Sequence, residues 1–228
     1  MKQPYALQEV KDTLRSMALD IEFLLISVIQ GMVLQMLAAS AVPVFGEFRV
    51  EYWCYVVSAF ILILIFWSQS ILHAWSFIDW PIDLIHSFLY FLASFVEVIT
   101  FAHITQPLKW FIFGFLFLLV TGILYVYDLS MIKKRISLFK QSPSHKRLYD
   151  HVYKRQIREL QFLVPSALVF NIIASWLIYT QRTFFITKHY HILLGVTQAL
   201  FSLILLLISV QTFKTRLRLI TDTYVNPD

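Results

Sequence analysis

Six apolar stretches, at roughly 18–42, 52–75, 81–104, 107–128, 161–181 and 190–212, constrain this chain more than any other feature. Each is long enough to cross a hydrocarbon core of about 30 Å as an α-helix. Hydrophobic residues make up 58% of the 228 positions, charged residues 14%, and Phe alone occupies 21; no water-soluble domain of this length could bury that much apolar surface. The expected fold class is therefore all-α: a polytopic membrane protein with six transmembrane helices and a cytoplasmic helical hairpin between helices 4 and 5. The lone Cys54 lies in the second stretch, so no disulfide within one chain is expected. The first stretch is full length and lacks a small-residue cleavage pattern, which argues against a cleavable signal peptide.

Lys and Arg set the expected orientation. If both termini are cytoplasmic, that side holds Lys2, Lys11, Arg15, the nine basic residues from Lys133 to Arg158, and Lys214, Arg216 and Arg218, fifteen of the 19 in all. Arg49, Lys109, Arg182 and Lys188 fall outside. An odd number of spans would destroy this bias. The net charge of +5 is thus read as a basic face toward anionic lipid rather than a nucleic-acid site. The lipid bilayer is the expected partner and nucleic acid is not.

Three pieces flank the spans. Residues 1–17 are expected to form a cytoplasmic amphipathic helix on the membrane surface, with Ala6, Val10, Leu14 and Met17 on one face and Lys11, Asp12 and Arg15 elsewhere. Residues 18–212 form the six-helix domain. Within it, 129–160 make the basic hairpin: Leu129, Ile132, Ile136 and Phe139 at helical spacing, a break at Ser142-Pro143-Ser144, then Tyr149, Val152, Tyr153, Ile157 and Leu160. Residues 213–228 form a cytoplasmic tail. Pro81 and Pro107 suit the first turns of spans three and four, with Asp79 and Thr105 as caps, and Pro165 is expected to kink span five.

Glycine spacing narrows the chemistry. Gly31, Gly46, Gly114, Gly122 and Gly195 make no GxxxG pair, no phosphate-binding loop and no carbonyl-lined TVGYG filter, so a pore here would have to select ions with side chains. No span carries the Arg or Lys ladder of a voltage sensor.

Span three carries a polar stripe. Asp83, His86, Ser87, Tyr90, Ser94 and Glu97 fall within an arc of about 100° on a helix that is otherwise apolar. Glu97 lies about 9 Å from the outer end of the span, too deep for a short side chain to reach water easily. Weaker polar lines run along span one (Glu22, Ser27, Gln30, Gln35), span five (Asn171, Ser175, Tyr179) and span six (His191, Gln198, Ser202, Ser209). Such residues often serve as interhelical hydrogen-bond glue worth about 0.6 kcal/mol each. Glu22, Ser27, His86, Tyr90, Ser94, Asn171 and Gln198 are accordingly expected to form a polar helix seam.

Ile21-Glu22, Val28-Ile29 and Val42-Pro43 in span one, then Ser58-Ala59-Phe60, Phe66-Trp67 and His73 in and after span two, are spaced as in a known membrane family. The chain resembles the six-helix potassium channels of lysosomes and bacteria, the transmembrane-protein-175 type, mainly over residues 20–100. The resemblance implies a homo-oligomer, a tetramer in that family, with span one lining a central pore. The family's Phe-Ser-Asp signature falls on Leu24, Leu25 and Ile26, which removes its polar network. Its pore-constricting Ile, and the Leu four residues later, fall on Gly31 and Gln35. On that alignment the dry hydrophobic gate is gone: either the pore is wetter and less selective, or another helix does the gating.

Two function classes compete. One is a cation-conducting channel or transporter, with potassium implied by the resemblance; Gln30, Gly31, Gln35, Asp83 and Glu97 line the path and the two carboxylates attract cations or relay protons. The other is an intramembrane enzyme using His73, His86, His103, His189 or His191 as metal or haem ligands. Against the second, the chain lacks HxxxH, HExxH, a nucleophile elbow and CxxC, so no catalytic residue, metal site or cofactor is expected. A third option is an auxiliary or sensing membrane protein without transport.

Overall fold

In the computed structural model, residues 3–77, 83–138 and 143–224 are described. They form helices α1 (Gln3–Gly46), α2 (Trp53–Phe77), α3 (Leu84–Ala102), α4 (Pro107–Leu138), α5 (Pro143–Arg158), α6 (Val164–Thr180) and α7 (His191–Tyr224). A π-helical turn at Glu159–Leu163 joins α5 to α6, so His145–Thr180 reads as one crossing. Among the described residues, six stretches are long and apolar enough to span a membrane. The protein is an all-α polytopic membrane protein, as its apolar runs require.

Pro165 explains the π turn. It has no N–H to offer the carbonyl four residues back, and the ladder slips by one residue, with the Val164 N–H bonding to the Glu159 carbonyl. At the start of α4, Pro107 stands where the sequence put it, but the carbonyl accepting the first N–H, from Trp110 at 2.9 Å, belongs to Gln106 rather than Thr105. Residues 3–17 continue α1 without a break. α4 and α5 pack through Ile132 against Leu148, Tyr149 and Val152, with Leu219 and Ile220 of α7 beside them. Asp79, Pro81, Phe139 and Ser142 lie outside the described residues, as do the side chains of Ala6, Lys11, Asp12 and Arg15.

The helices follow one another around an arc in the order α7, α2, α1, α3, α4, α6, curled so that α2 also reaches α4. α6 and α7 end the arc and do not pack against each other as a pair; α5 bridges that side by touching both α4 and α7. Six crossings bring the start of α1 and the finish of α7 to one face of the bundle, the terminal end. Large apolar side chains such as Leu24, Phe88, Phe95, Trp176 and Leu203 point outward, where the solvent is hydrocarbon.

Close approach of α2 and α7 depends on Gly195. A Cβ there would lie 2.5 Å from Cys54 Sγ and 3.1 Å from the Tyr55 ring. Cys54 can rotate away, but Tyr55 is fully buried against Trp110, Phe111 and His191 and cannot. Gly195→Leu is expected to cost about 1–3 kcal/mol through overpacking. Gly31→Ala, whose Cβ meets nothing, should leave the thermal midpoint of the purified protein near wild type.

Candidate functional site

The stripe on α3 faces the interior. His86, Tyr90, Ser94 and Glu97 are all buried, while Leu84, Ile85, Phe88, Phe91 and Phe95 on the same helix are exposed to lipid. Asp83 ends the stripe in a different role: it is the N-cap of α3, its Oδ1 accepting the Ile85 and His86 N–H groups at 3.0 and 3.1 Å. The Tyr127 hydroxyl of α4 donates to the same carboxylate, 2.7 Å from Oδ2. Burial pushes this carboxyl up, but the Tyr127 hydroxyl and the two backbone N–H groups outweigh it and hold Asp83 below its ordinary value. A depressed carboxyl contributes stability that is complete above its unfolded value, about 3.9, and is lost as pH falls through the lower folded value. Asp83→Ala is therefore expected to cost about 1 kcal/mol at neutral pH. Asp83→Asn should keep much of the cap and flatten the loss of thermal stability on acidification below about pH 4.

Behind Asp83, four helices meet around a cavity of about 40 Å³ at the terminal end of the bundle. Glu22 comes from α1, Ser70 and His73 from α2, His86 and Tyr90 from α3, and Asp128 from α4. His73 Nδ1 lies 3.6 Å from Asp128 Oδ2, and His86 Nε2 lies 3.5 Å from Asp128 Oδ1. The two imidazoles stack with centroids 4.4 Å apart and planes within 9°. Among the described residues these three make the one group of His, Cys, Asp and Glu side chains placed to share an ion, their ligand atoms lying within 4.8 Å of one another. The spacings are too long for good hydrogen bonds. Asp128 Oδ1, His86 Nδ1 and Glu22 Oε2 are buried without a hydrogen-bond partner. Arg216 of α7, also buried, is the cationic neighbour of Asp128.

Above this cavity stands an aromatic constriction. Phe66 stacks on Tyr90 at 5.2 Å and meets Phe117 edge-on at 5.7 Å. Phe66 and Tyr90 line the lower cavity, whereas Phe117 lines a second one of about 70 Å³ nearer the middle of the bundle. Glu97, Thr100, Asn171, Gln198 and Ser202 supply the polar groups of that second cavity. Glu97 is 1% exposed and neither carboxylate oxygen has a hydrogen-bond partner; its neighbour Gln30 directs its amide to the Tyr90 hydroxyl, at 3.3 Å. Asn171 donates to the Ala167 carbonyl at 2.8 Å and leaves Oδ1 unpartnered. Gly114 makes room for it, since a Cβ there would sit 2.8 Å from that oxygen. Toward the gap between α6 and α7 the cavity continues past Phe170 and Phe201 into a cleft of about 110 Å³.

The opposite end is filled by packed aromatic side chains. Tyr55 donates to the His191 carbonyl at 3.0 Å and its ring packs on Trp110 and Phe111. Trp110 Nε1 donates to Gln198 Oε1 at 2.7 Å, and Tyr52 stacks on His191. His189 approaches His191, but His103 is held by the Ile99 carbonyl and Phe113, so these three histidines do not converge.

The sequence-selected residues thus separate. Glu22, Gln30, His86, Tyr90, Ser94, Glu97, Asn171 and Gln198 turn toward the interior, joined by His191, Ser202 and Ser209 of α7. Ser27, Gly31 and Gln35 lie on the outward face of α1, away from Gln30. Tyr179 is also exposed. Sequence reasoning passed over Asp128 and Tyr125, which line the lower cavity, and Arg216 beside Asp128. Asp128 did carry a signal: it is the only acidic residue in the fourth crossing, and it falls at the depth of Glu22, His73 and His86 once spans alternate in direction. No family model matches this chain, and neither does any curated protein or solved structure.

Proposed function

We propose that the protein transports cations through the interior of its own six-helix bundle, by way of the two polar cavities on either side of the Phe66, Tyr90 and Phe117 constriction. The observation that carries this reading is the set of buried acidic groups with unpartnered oxygens facing those cavities: Glu22 and Asp128 below, Glu97 above. Carboxyl groups at membrane depth cost several kcal/mol, and this cost is offset when a cation or proton occupies the space they enclose. Both cavities are small and Tyr55 and Trp110 pack at the far end, which favours reading the pathway as an occluded transporter rather than an open channel. The basic terminal end faces the cytoplasm on this reading. Purified protein in liposomes should take up protons, potassium or divalent cations down an imposed gradient. Absence of uptake for all three, at every gradient and voltage tried, would overturn the proposal.

A second reading has one observation behind it. Gln35 and Ser27 are polar yet face outward at membrane depth, where hydrocarbon offers an amide no partner, and nothing stands over Gly31. A second copy of the chain packing on this face of α1 would supply partners, and an axial pore lined by Gly31 and Gln35 is what the potassium-channel resemblance implies. In a Cys54→Ser background, Gln35→Cys is expected to crosslink between copies in membranes under this reading; failure to crosslink beside an efficient control pair removes it.

A further inference from the structure

We propose that His73, His86 and Asp128 form a binding site for a divalent first-row transition-metal cation, of the zinc, iron(II) or manganese(II) class. The inference names the cation for the transport pathway above, but the binding itself does not depend on transport. Three helices, α2, α3 and α4, each contribute one ligand, so the site is assembled by the tertiary fold and has no local motif.

Metal–nitrogen and metal–oxygen bonds of about 2.0–2.1 Å around a tetrahedral ion place neighbouring ligand atoms about 3.4 Å apart. The 3.5 and 3.6 Å separations run from the two imidazole nitrogens to different oxygens of Asp128; they are near that spacing and poor as hydrogen bonds, and the three ligand atoms, within 4.8 Å of one another, draw together to hold one ion. Both nitrogens face the same carboxylate, and the two rings turn out of their parallel stack to aim their in-plane lone pairs at one ion; the adjoining cavity of about 40 Å³ leaves room for a water or a further ligand beside Glu22. Glu22 Oε2 is itself buried and unpartnered there. Two imidazoles and a carboxylate are the donor set of borderline transition metals, whereas potassium, magnesium and calcium prefer oxygen alone. Arg216 neighbours Asp128 and is the competing explanation for its charge; Glu159 is an acidic neighbour of the same guanidinium.

Cobalt(II) titration of metal-stripped protein in nanodiscs tests the site, because cobalt bound by two nitrogens and a carboxylate absorbs in the visible without a thiolate charge-transfer band. One cobalt per chain is expected, displaced by zinc. Asp128→Asn and His86→Gln should each weaken binding by more than about tenfold, while His103→Gln, at the other end of the bundle, leaves it intact. Melting curves of each variant show that loss of binding is not loss of fold, and the wild-type spectrum stands without any variant. No visible band and no bound metal would overturn the proposal in favour of an Arg216 counter-ion role for Asp128. Binding that survives both Asp128→Asn and His86→Gln would overturn it too, as would cation uptake by liposomes containing protein that binds no metal. Metal binding without uptake would uphold the site and count against the transport reading alone.

Discussion

Replacing Glu97 by glutamine is expected to lower cation uptake into liposomes by about tenfold or more while leaving the thermal midpoint unchanged or raised. The size follows from removing one charge-assisted contact to a passing cation, worth about 1.5–3 kcal/mol. The sign of the stability effect follows from burial: Glu97 is 1% exposed with Gln30 as its polar neighbour, so a neutral amide of the same shape lowers the desolvation cost and still offers Gln30 an acceptor. A purely structural carboxyl predicts the reverse pattern, with unchanged uptake and a lowered midpoint. Radiotracer or dye-reported flux, measured beside melting curves on the same preparations, separates the two.

Trp110→Ala is expected to destabilise the protein by about 3–5 kcal/mol, at the upper end for a single truncation. Trp110 has no exposed surface. It lies between Phe101, stacked at 6.0 Å, and Tyr55, and its indole N–H is the donor that fixes Gln198. Hydrocarbon solvates apolar groups as well as a protein core does, so the loss comes from the cavity left behind and the orphaned Gln198 rather than from exposure to water. If the Tyr55 and Trp110 layer also closes the pathway, the same variant shows ungated leak when reconstituted below its midpoint. A midpoint within about 1–2 °C of wild type would refute the packing argument.

Much of the interior was legible because a helix has only one way to present a period of 3.6. His86, Tyr90, Ser94 and Glu97 recur at three- and four-residue steps, and the structure buries all four. Along α7 the same arithmetic correctly selected His191, Ser202 and Ser209. On α1 it selects no single face, for an equally physical reason. Glu22, Ser27, Gln30 and Gln35 do not share one face: Glu22 and Gln30 turn in while Ser27 and Gln35 turn out, and periodicity cannot say which side of an almost uniformly apolar helix meets protein rather than lipid. Asp83 shows a second limit, because position along the stripe does not distinguish a side chain inside the bundle from an N-cap bonded to Ile85 and His86.

By itself the sequence determined the solvent, the number of crossings and the depth of each ionisable group, because hydrocarbon length and the cost of burying charge act on each segment independently. Convergence was decided only by the tertiary structure. Glu22, His73, His86 and Asp128 stand on four helices, with 51, 13 and 42 positions from each to the next, and they share a cavity only because α1, α2, α3 and α4 pack in one particular rotation about their axes. Such rotations are settled by close packing, as where Gly195 of α7 meets Tyr55 of α2 and Gly114 of α4 meets Asn171 of α6; there tenths of an ångström matter, and no hydropathy pattern carries such information.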